Sequence, residues 1–154
     1  MIIISACLCG INCKYNGKNN LSEDVLKLFK QKKAILVCPE QLGGLQTPRP
    51  PQEIINGTGM EVLKRLSKVK DLAGNESTDK FIKGAYETLN IAKECKAQYA
   101  ILKSNSPSCG YGMIYDGTFS GKKIKGNGVT AELLRKNGIK IFTEYDFEKL
   151  KEEI

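Results

Sequence analysis

Three cysteines in the sequence each follow a short apolar run. Residues 2–6 lead into Cys7, residues 34–37 into Cys38, and residues 99–103 into a Ser/Asn/Pro loop that ends at Cys109. Apolar runs this short, bounded by turn residues, read as buried strands. In an open α/β sheet the ligand crevice lies outside the carboxyl ends of the strands. Three thiols brought there from distant parts of the chain read as one metal or cluster site with a vacant position. Such a vacancy separates a reactive centre from a structural one. Taken singly, each cysteine also fits the role of a small buried apolar residue.

Two of these cysteines stand in unusual loops. Cys38-Pro39-Glu40 sets a carboxylate two residues from a thiol, with a proline fixing the turn. Ser106-Pro107-Ser108-Cys109-Gly110-Tyr111-Gly112 offers hydroxyls and backbone amides suited to an anionic or sulfur ligand. No Cys-x-x-Cys pair is present, and the Cys7-x-Cys9 and Cys9-x-x-x-Cys13 spacings are weak metal signals. The chain has no histidine. Ser-His and Cys-His dyads and imidazole-bound zinc are therefore excluded, and a general base must be Glu, Asp, Lys, Tyr or a thiolate.

Composition bounds the setting. A length of 154 residues suggests one domain, 1–154, able to bury a core without disulfides. The apolar start lacks the basic lead of a signal peptide, and no run reaches the length of a membrane span. The expected compartment is the cytoplasm, where six cysteines point to metal binding or catalysis rather than a disulfide framework. The net charge of +7 suits an anionic partner such as a nucleotide phosphate or RNA. It equally suits a lysine-rich solvated surface. Lys14, Arg49 and Lys103 are the loop cations that can meet a phosphate.

The elements that position these residues follow from periodicity. Residues 21–30 predict an amphipathic helix capped by Ser22, with Val25, Leu26, Leu28 and Phe29 inward. Residues 43–51 read as a stiff Gly/Pro loop. Ile54-Ile55 and Val69 read as short strands around a Gly57-Thr58-Gly59 turn. Residues 78–95 form the longest helical pattern, with Cys95 on its apolar side. Asp116-Gly117 signals a hairpin. Residues 129–137 predict a helix stopped by Gly138, and residues 139–142 a last strand. A C-terminal helix opens at Thr143 or Asp146. The alternation predicts an α/β fold: a single-domain, Rossmann-like open sheet, mostly parallel, flanked by helices.

Several motifs occur together in order. They are Ser5-Ala6-Cys7-Leu8-Cys9-Gly10, Cys13-Lys14-Tyr15-Asn16-Gly17, Cys38-Pro39-Glu40, and the Gly43-Gly44-Leu45-Gln46-Thr47-Pro48-Arg49-Pro50-Pro51 loop. Ser106-Pro107-Ser108-Cys109-Gly110, Tyr115-Asp116-Gly117-Thr118-Phe119-Ser120-Gly121 and Gly126-Asn127-Gly128-Val129-Thr130-Ala131 follow. Over residues 2–144 the chain resembles the thiouracil desulfidase family. The resemblance implies a [4Fe-4S] cluster held by Cys7, Cys38 and Cys109, with a fourth iron free to bind a thiocarbonyl sulfur. It implies Glu40 and Ser106 as catalytic residues. It also implies a thiolated pyrimidine base or nucleotide as substrate, such as thiouracil or 4-thio-UMP, with uracil or UMP and hydrogen sulfide as products. Thiolated tRNA is the alternative substrate. From the residues alone, a structural zinc or iron–sulfur protein and a basic RNA-binding protein without turnover stay open, since three thiols do not choose the metal. Cys9 departs from the family's usual Leu, and position 13 is not always cysteine there. Those two thiols are spare, a sulfur-handling pair, or a perturbation of the site.

Overall fold

Short β-branched runs alternate with longer amphipathic stretches, and a computed structural model of residues 1–154 shows what they form. The chain runs β1 (Ile2–Ser5), a 3-10 turn (Ala6–Cys9), α1 (Glu23–Gln31), β2 (Ala34–Val37) and α2 (Pro39–Leu42). It continues through β3 (Gln52–Ile55), α3 (Gly59–Leu63), β4 (Lys68–Asp71), α4 (Thr78–Glu94) and β5 (Tyr99–Leu102). It ends with β6 (Met113–Tyr115), β7 (Lys123–Lys125), α5 (Val129–Lys136), β8 (Lys140–Thr143) and α6 (Glu148–Lys151).

The main sheet has the order β2-β1-β5-β8, with every pair parallel. Period-two alternation sends its residues to two faces. Ile3, Ala100, Leu102 and Ile141 join Phe81, Ala85 and Leu89 of α4 and Leu134 of α5 in one core. Ile2, Ile4, Ile101 and Phe142 join Val25 and Leu28 of α1 and Leu150 of α6 in the other. The strand after β1 lies on one side of it and β5 on the other. The gap between β1 and β5 is thus the topological switch point, where an open sheet leaves its crevice. Lys103 N–H donates to Ser5 Oγ at 3.0 Å across that gap.

The structure refines the sequence reading in five places. The main sheet is wholly parallel, and the antiparallel pairs β3–β4 and β6–β7 stand apart from it. Cys38-Pro39-Glu40 is a helix start rather than a loop, because proline fits the first helical position, where no N–H is needed. Helix α3 lies between β3 and β4, where a turn is expected. Its signal was Thr58-Gly59-Met60-Glu61, with Glu61 accepting the Thr58 N–H at 3.1 Å. Asp116-Gly117 does not make a two-residue hairpin, since β6 and β7 are joined by residues 116–122. Neither Thr143 nor Asp146 caps α6; Asp146 Oδ1 accepts the Thr143 N–H at 2.6 Å, and Phe147 is the cap.

Two contacts hold the loops around the crevice. Helix α2 lies directly on α4 at Gly84, where a β-carbon would stand 2.0 Å from the Pro39 carbonyl oxygen. At the end of β8, Glu144 is bonded by Lys103 Nζ at 2.9 Å and by the Ser104 N–H at 3.0 Å. Burial pushes the Glu144 carboxyl up, but its bonds from Ser104 and Lys103 outweigh this and hold it below the usual range.

Gly84→Ala is expected to destabilise the protein by about 1–2 kcal/mol in urea unfolding, overpacking outweighing the gain in helix propensity. Exposed Glu87→Ala on the same helix should stay within about 0.5 kcal/mol. Equal stability of the Gly84→Ala protein would show that α2 is free to shift. A carboxylate with a lowered pKa contributes stability above its unfolded pKa and loses it as pH falls through its folded pKa. Glu144→Gln is therefore expected to cost about 1–2 kcal/mol at pH 7, with the gap to the parent closing on acidification below the ordinary carboxylate range. A gap independent of pH would contradict the pairing.

Candidate functional site

A cavity of about 440 Å³ opens at the carboxyl ends of β1, β2 and β5. That is within the size range of small-molecule sites. Cys7, Cys38, Cys109, Glu40 and Ser106 all line it. The sequence separates these five residues widely, and the switch point gathers them.

Each thiol is set by its own local structure. Cys7 stands in the 3-10 turn after β1, which Gly10 closes in the left-handed region. Asn20 N–H donates to the Cys7 carbonyl at 2.9 Å and folds residues 10–20 back over the turn. Cys38 follows β2 directly as the N-cap of α2. Cys109 is buried in the loop after β5. There Ser106 Oγ accepts the N–H groups of Ser108 and Cys109 at 3.1 and 3.0 Å. The first N–H groups of α5 clamp the same loop, Val129 to the Pro107 carbonyl at 2.8 Å and Thr130 to that of Ser108 at 2.9 Å. A β-carbon at Gly128 would sit 2.5 Å from the Ser108 carbonyl oxygen, so the approach needs glycine.

The electrostatics follow from burying these groups together. Burial pushes the Cys7 and Cys109 thiols up, with Glu40 adding to both. Burial also raises the Glu40 carboxyl, partly offset by Arg49 at 3.6 Å. Cys38 is the exception: its contact with Cys13 holds its thiol below the ordinary value. Cys38 Sγ is within donating reach of the Cys13 carbonyl at 3.7 Å and of Glu40 Oε1 at 4.0 Å.

Several other residues take roles that spacing did not give. Cys13 is buried and lines the cavity as a fourth thiol. Arg49 is not a free phosphate ligand: its side chain is 5% exposed and is spent on Glu40, Thr47 Oγ1 (3.1 Å) and the Cys13 carbonyl (3.1 Å). Lys103 lines the cavity but is paired with Glu144. Lys14 lies over the Tyr15 ring at the cavity wall. Cys9 packs into the apolar cluster with α1, and burial pushes its thiol up to about 11. Cys95 packs partly buried against the main core, as its helical position implied. The signal for Arg49 was its place between Pro48 and Pro50; its bond to Cys13, 36 residues away, left none.

All six cysteines are free thiols. No three Cys, Asp or Glu side chains close to the spacing of one metal ion. A single tetrahedral ion draws its ligands into one tight shell. A polynuclear cluster gives each thiolate a different iron and spreads them wider. Three thiols carried by separate loops to one cavity are a donor set that fits a cluster with one ligand per iron.

Comparison with known proteins shows what the whole chain is similar to. The curated protein "Uncharacterized protein YbbK" of Bacillus subtilis (strain 168) is 53% identical over 144 residues, covering 94% of this chain and 95% of that one. A solved structure titled "[4Fe-4S]-dependent thiouracil desulfidase TudS" superposes with a TM-score of 0.86 at 38% identity, covering 97% of this chain and 94% of its own. The family model described as 2-thiouracil desulfurase matches residues 2–146. With its motifs, its parallel sheet and its thiol-lined switch point, the chain belongs to the 2-thiouracil desulfurase family.

Proposed function

We propose that this chain, acting as a single domain over residues 1–154, is a [4Fe-4S]-dependent desulfidase. Its substrate is a thiolated uracil base or nucleotide, thiouracil or 4-thio-UMP, and its products are uracil or UMP and hydrogen sulfide. One observation carries the reading: Cys7, Cys38 and Cys109 meet around one cavity that also holds Glu40. We assign Cys7, Cys38 and Cys109 as the cluster ligands and Glu40 and Ser106 as the catalytic residues. No helix is long and apolar enough to cross a membrane. Six free cysteines suit a reducing compartment, so we assign the cytoplasm.

When bound, the cluster supplies a soft Lewis-acidic iron with no protein ligand, matched to a thiocarbonyl sulfur. The chain's own groups handle protons and orientation. Glu40 is the general base that takes a proton from water as the water attacks the ring carbon. Its burial keeps the carboxyl above the usual range, closer to the pH at which a base works well. Arg49 holds that carboxylate in place from within the Thr47–Arg49 turn. Ser106 Oγ already accepts two N–H groups, so its own proton is available to donate to an oxygen or nitrogen of the substrate. Tyr15 and Tyr115 give the cavity aromatic surface for a planar base. The overall change replaces C=S and water by C=O and hydrogen sulfide, and no electrons are transferred.

Sulfide release by anaerobically reconstituted protein, compared for thiouracil, 4-thio-UMP and thiolated tRNA, tests the reading. The small substrates are expected to turn over; release from tRNA alone would transfer the activity to a nucleic-acid substrate. Glu40→Gln with its cluster retained should lose at least about 100-fold in turnover, the lower end of general acid–base catalysis. Normal turnover would remove Glu40 from the mechanism. Cys109→Ser should lose iron on desalting while Cys95→Ser keeps it, and equal iron in both would remove Cys109 from the ligand set.

A further inference from the structure

The switch-point cavity continues past one of its walls. A second groove of about 670 Å³ adjoins it, and Pro51, Glu53 and Tyr115 line both. These three residues stand on β3, just before it, and on β6, outside the main sheet whose strand ends carry the thiols. Beyond them Leu72, Asn75 and Phe119 line the groove. None of the three has a part in the chemistry assigned to Glu40 and Ser106.

Glu53 fixes the outer wall of this groove. Its Oε1 accepts the Gly117 N–H at 2.9 Å and the Phe119 N–H at 3.2 Å, which ties residues 116–122 to β3. Phe119 is held there at a φ of 56°, a costly conformation for a bulky residue. Such strain persists only where the surroundings over-determine it, and it clusters at ligand sites. Both bonds fall on Oε1, which leaves Glu53 Oε2 to accept from a ligand hydroxyl. Asp71, the other carboxylate of the groove, is spent on Asn75 through bonds of 2.8 and 3.0 Å. No lysine or arginine lines the groove. A phosphate placed in it would meet carboxylates and no cation, whereas a sugar finds an acceptor for its hydroxyls and apolar surface for its ring.

We infer that this groove is the subsite for the ribose of a thiolated nucleoside, with Glu53 Oε2 accepting from its hydroxyls and Phe119 packing against its apolar face. The inference rests on the desulfidase reading above. It follows from where the sugar is attached. In a 4-thiolated uracil the glycosidic nitrogen N1 stands across the ring from C4. A base whose sulfur meets the thiols at the edge of the main sheet turns N1 away from them. The wall of Pro51, Glu53 and Tyr115 then leads the sugar into the groove. Binding energy gained there is remote from the reacting carbon and does not depend on the chemical step.

The test is sulfide release by the anaerobically reconstituted protein from 4-thiouracil, 4-thiouridine and 2′,3′-dideoxy-4-thiouridine. The parent should favour 4-thiouridine over its dideoxy analogue by about tenfold in kcat/KM, mainly through KM, as one hydrogen bond to a charged group supplies. Glu53→Gln keeps an acceptor for the loop and removes the charge, and it should erase most of that preference. Phe119→Ala keeps the backbone bond to Glu53, and it should lower the ratio of 4-thiouridine to 4-thiouracil several-fold. General damage to the site would depress all three substrates alike and leave both ratios at the parent value. Equal kcat/KM for 4-thiouridine and its dideoxy analogue in the parent would overturn this inference alone, as would an unmoved ratio in either variant. No sulfide from any of the three substrates would overturn the proposed function together with it.

Discussion

Burial raises Cys7, Cys109 and Glu40 together, and all three face the same crevice as Cys38. Each of these groups becomes anionic when it gives up its proton, and a desolvated crevice opposes several anions at once. The cations lining the crevice are Arg49, held by Glu40, Lys103, held by Glu144, and Lys14 at its wall. Burial works against the anionic forms of Cys7, Cys109 and Glu40. A bound cationic cluster would reverse that balance, because coordination deprotonates a thiol outright. Such a group would offset the cost of gathering these side chains in one crevice, and the placement of the loops suits that demand.

The fold meets the demand with parallel strands whose carboxyl ends lie side by side. A 3-10 turn, a short helix and a Ser/Pro loop each start at one of those ends and each carry one thiol. Rigidity comes from backbone contacts beneath them. Gly84 lets α2 rest on α4, and Gly128 lets α5 begin against the Cys109 loop. Ser106 has two tasks in this scheme. Its oxygen shapes the backbone around Cys109, and its hydroxyl is the proton donor in the proposed reaction. Glu40 and Arg49 are similarly joined, so the proposed base is oriented by a residue that also grips the Cys13 backbone.

Much of this could be read from residue types. Unbroken apolar runs gave the parallel strands, Ser22 marked the start of α1, and Gly138 marked the end of α5. The strand-end position of Cys7, Cys38 and Cys109 was enough to bring them to one edge. The absence of histidine left Glu40 as the leading base. What could not be read depended on long-range closure. Arg49 looks like a free cation in a proline loop, and becomes a buried structural one only when the loop folds back on Cys13. Cys13 and Cys9 look alike in sequence, yet one faces the crevice and the other an apolar cluster behind it. That difference arises from the turn at Gly10 and the return of the chain at Asn20, which no local periodicity encodes.

The central claim is that Cys7, Cys38 and Cys109 hold a cluster whose remaining iron has no protein ligand. Diffraction at the iron absorption edge, from crystals of anaerobically reconstituted protein, measures this directly. Four iron peaks are expected in the switch-point cavity, three of them bonded to the sulfurs of Cys7, Cys38 and Cys109, and the fourth bonded to no side chain. A single iron or zinc peak, a fourth iron ligated by Cys13 or Glu40, or a cluster held by another set of thiols would contradict it.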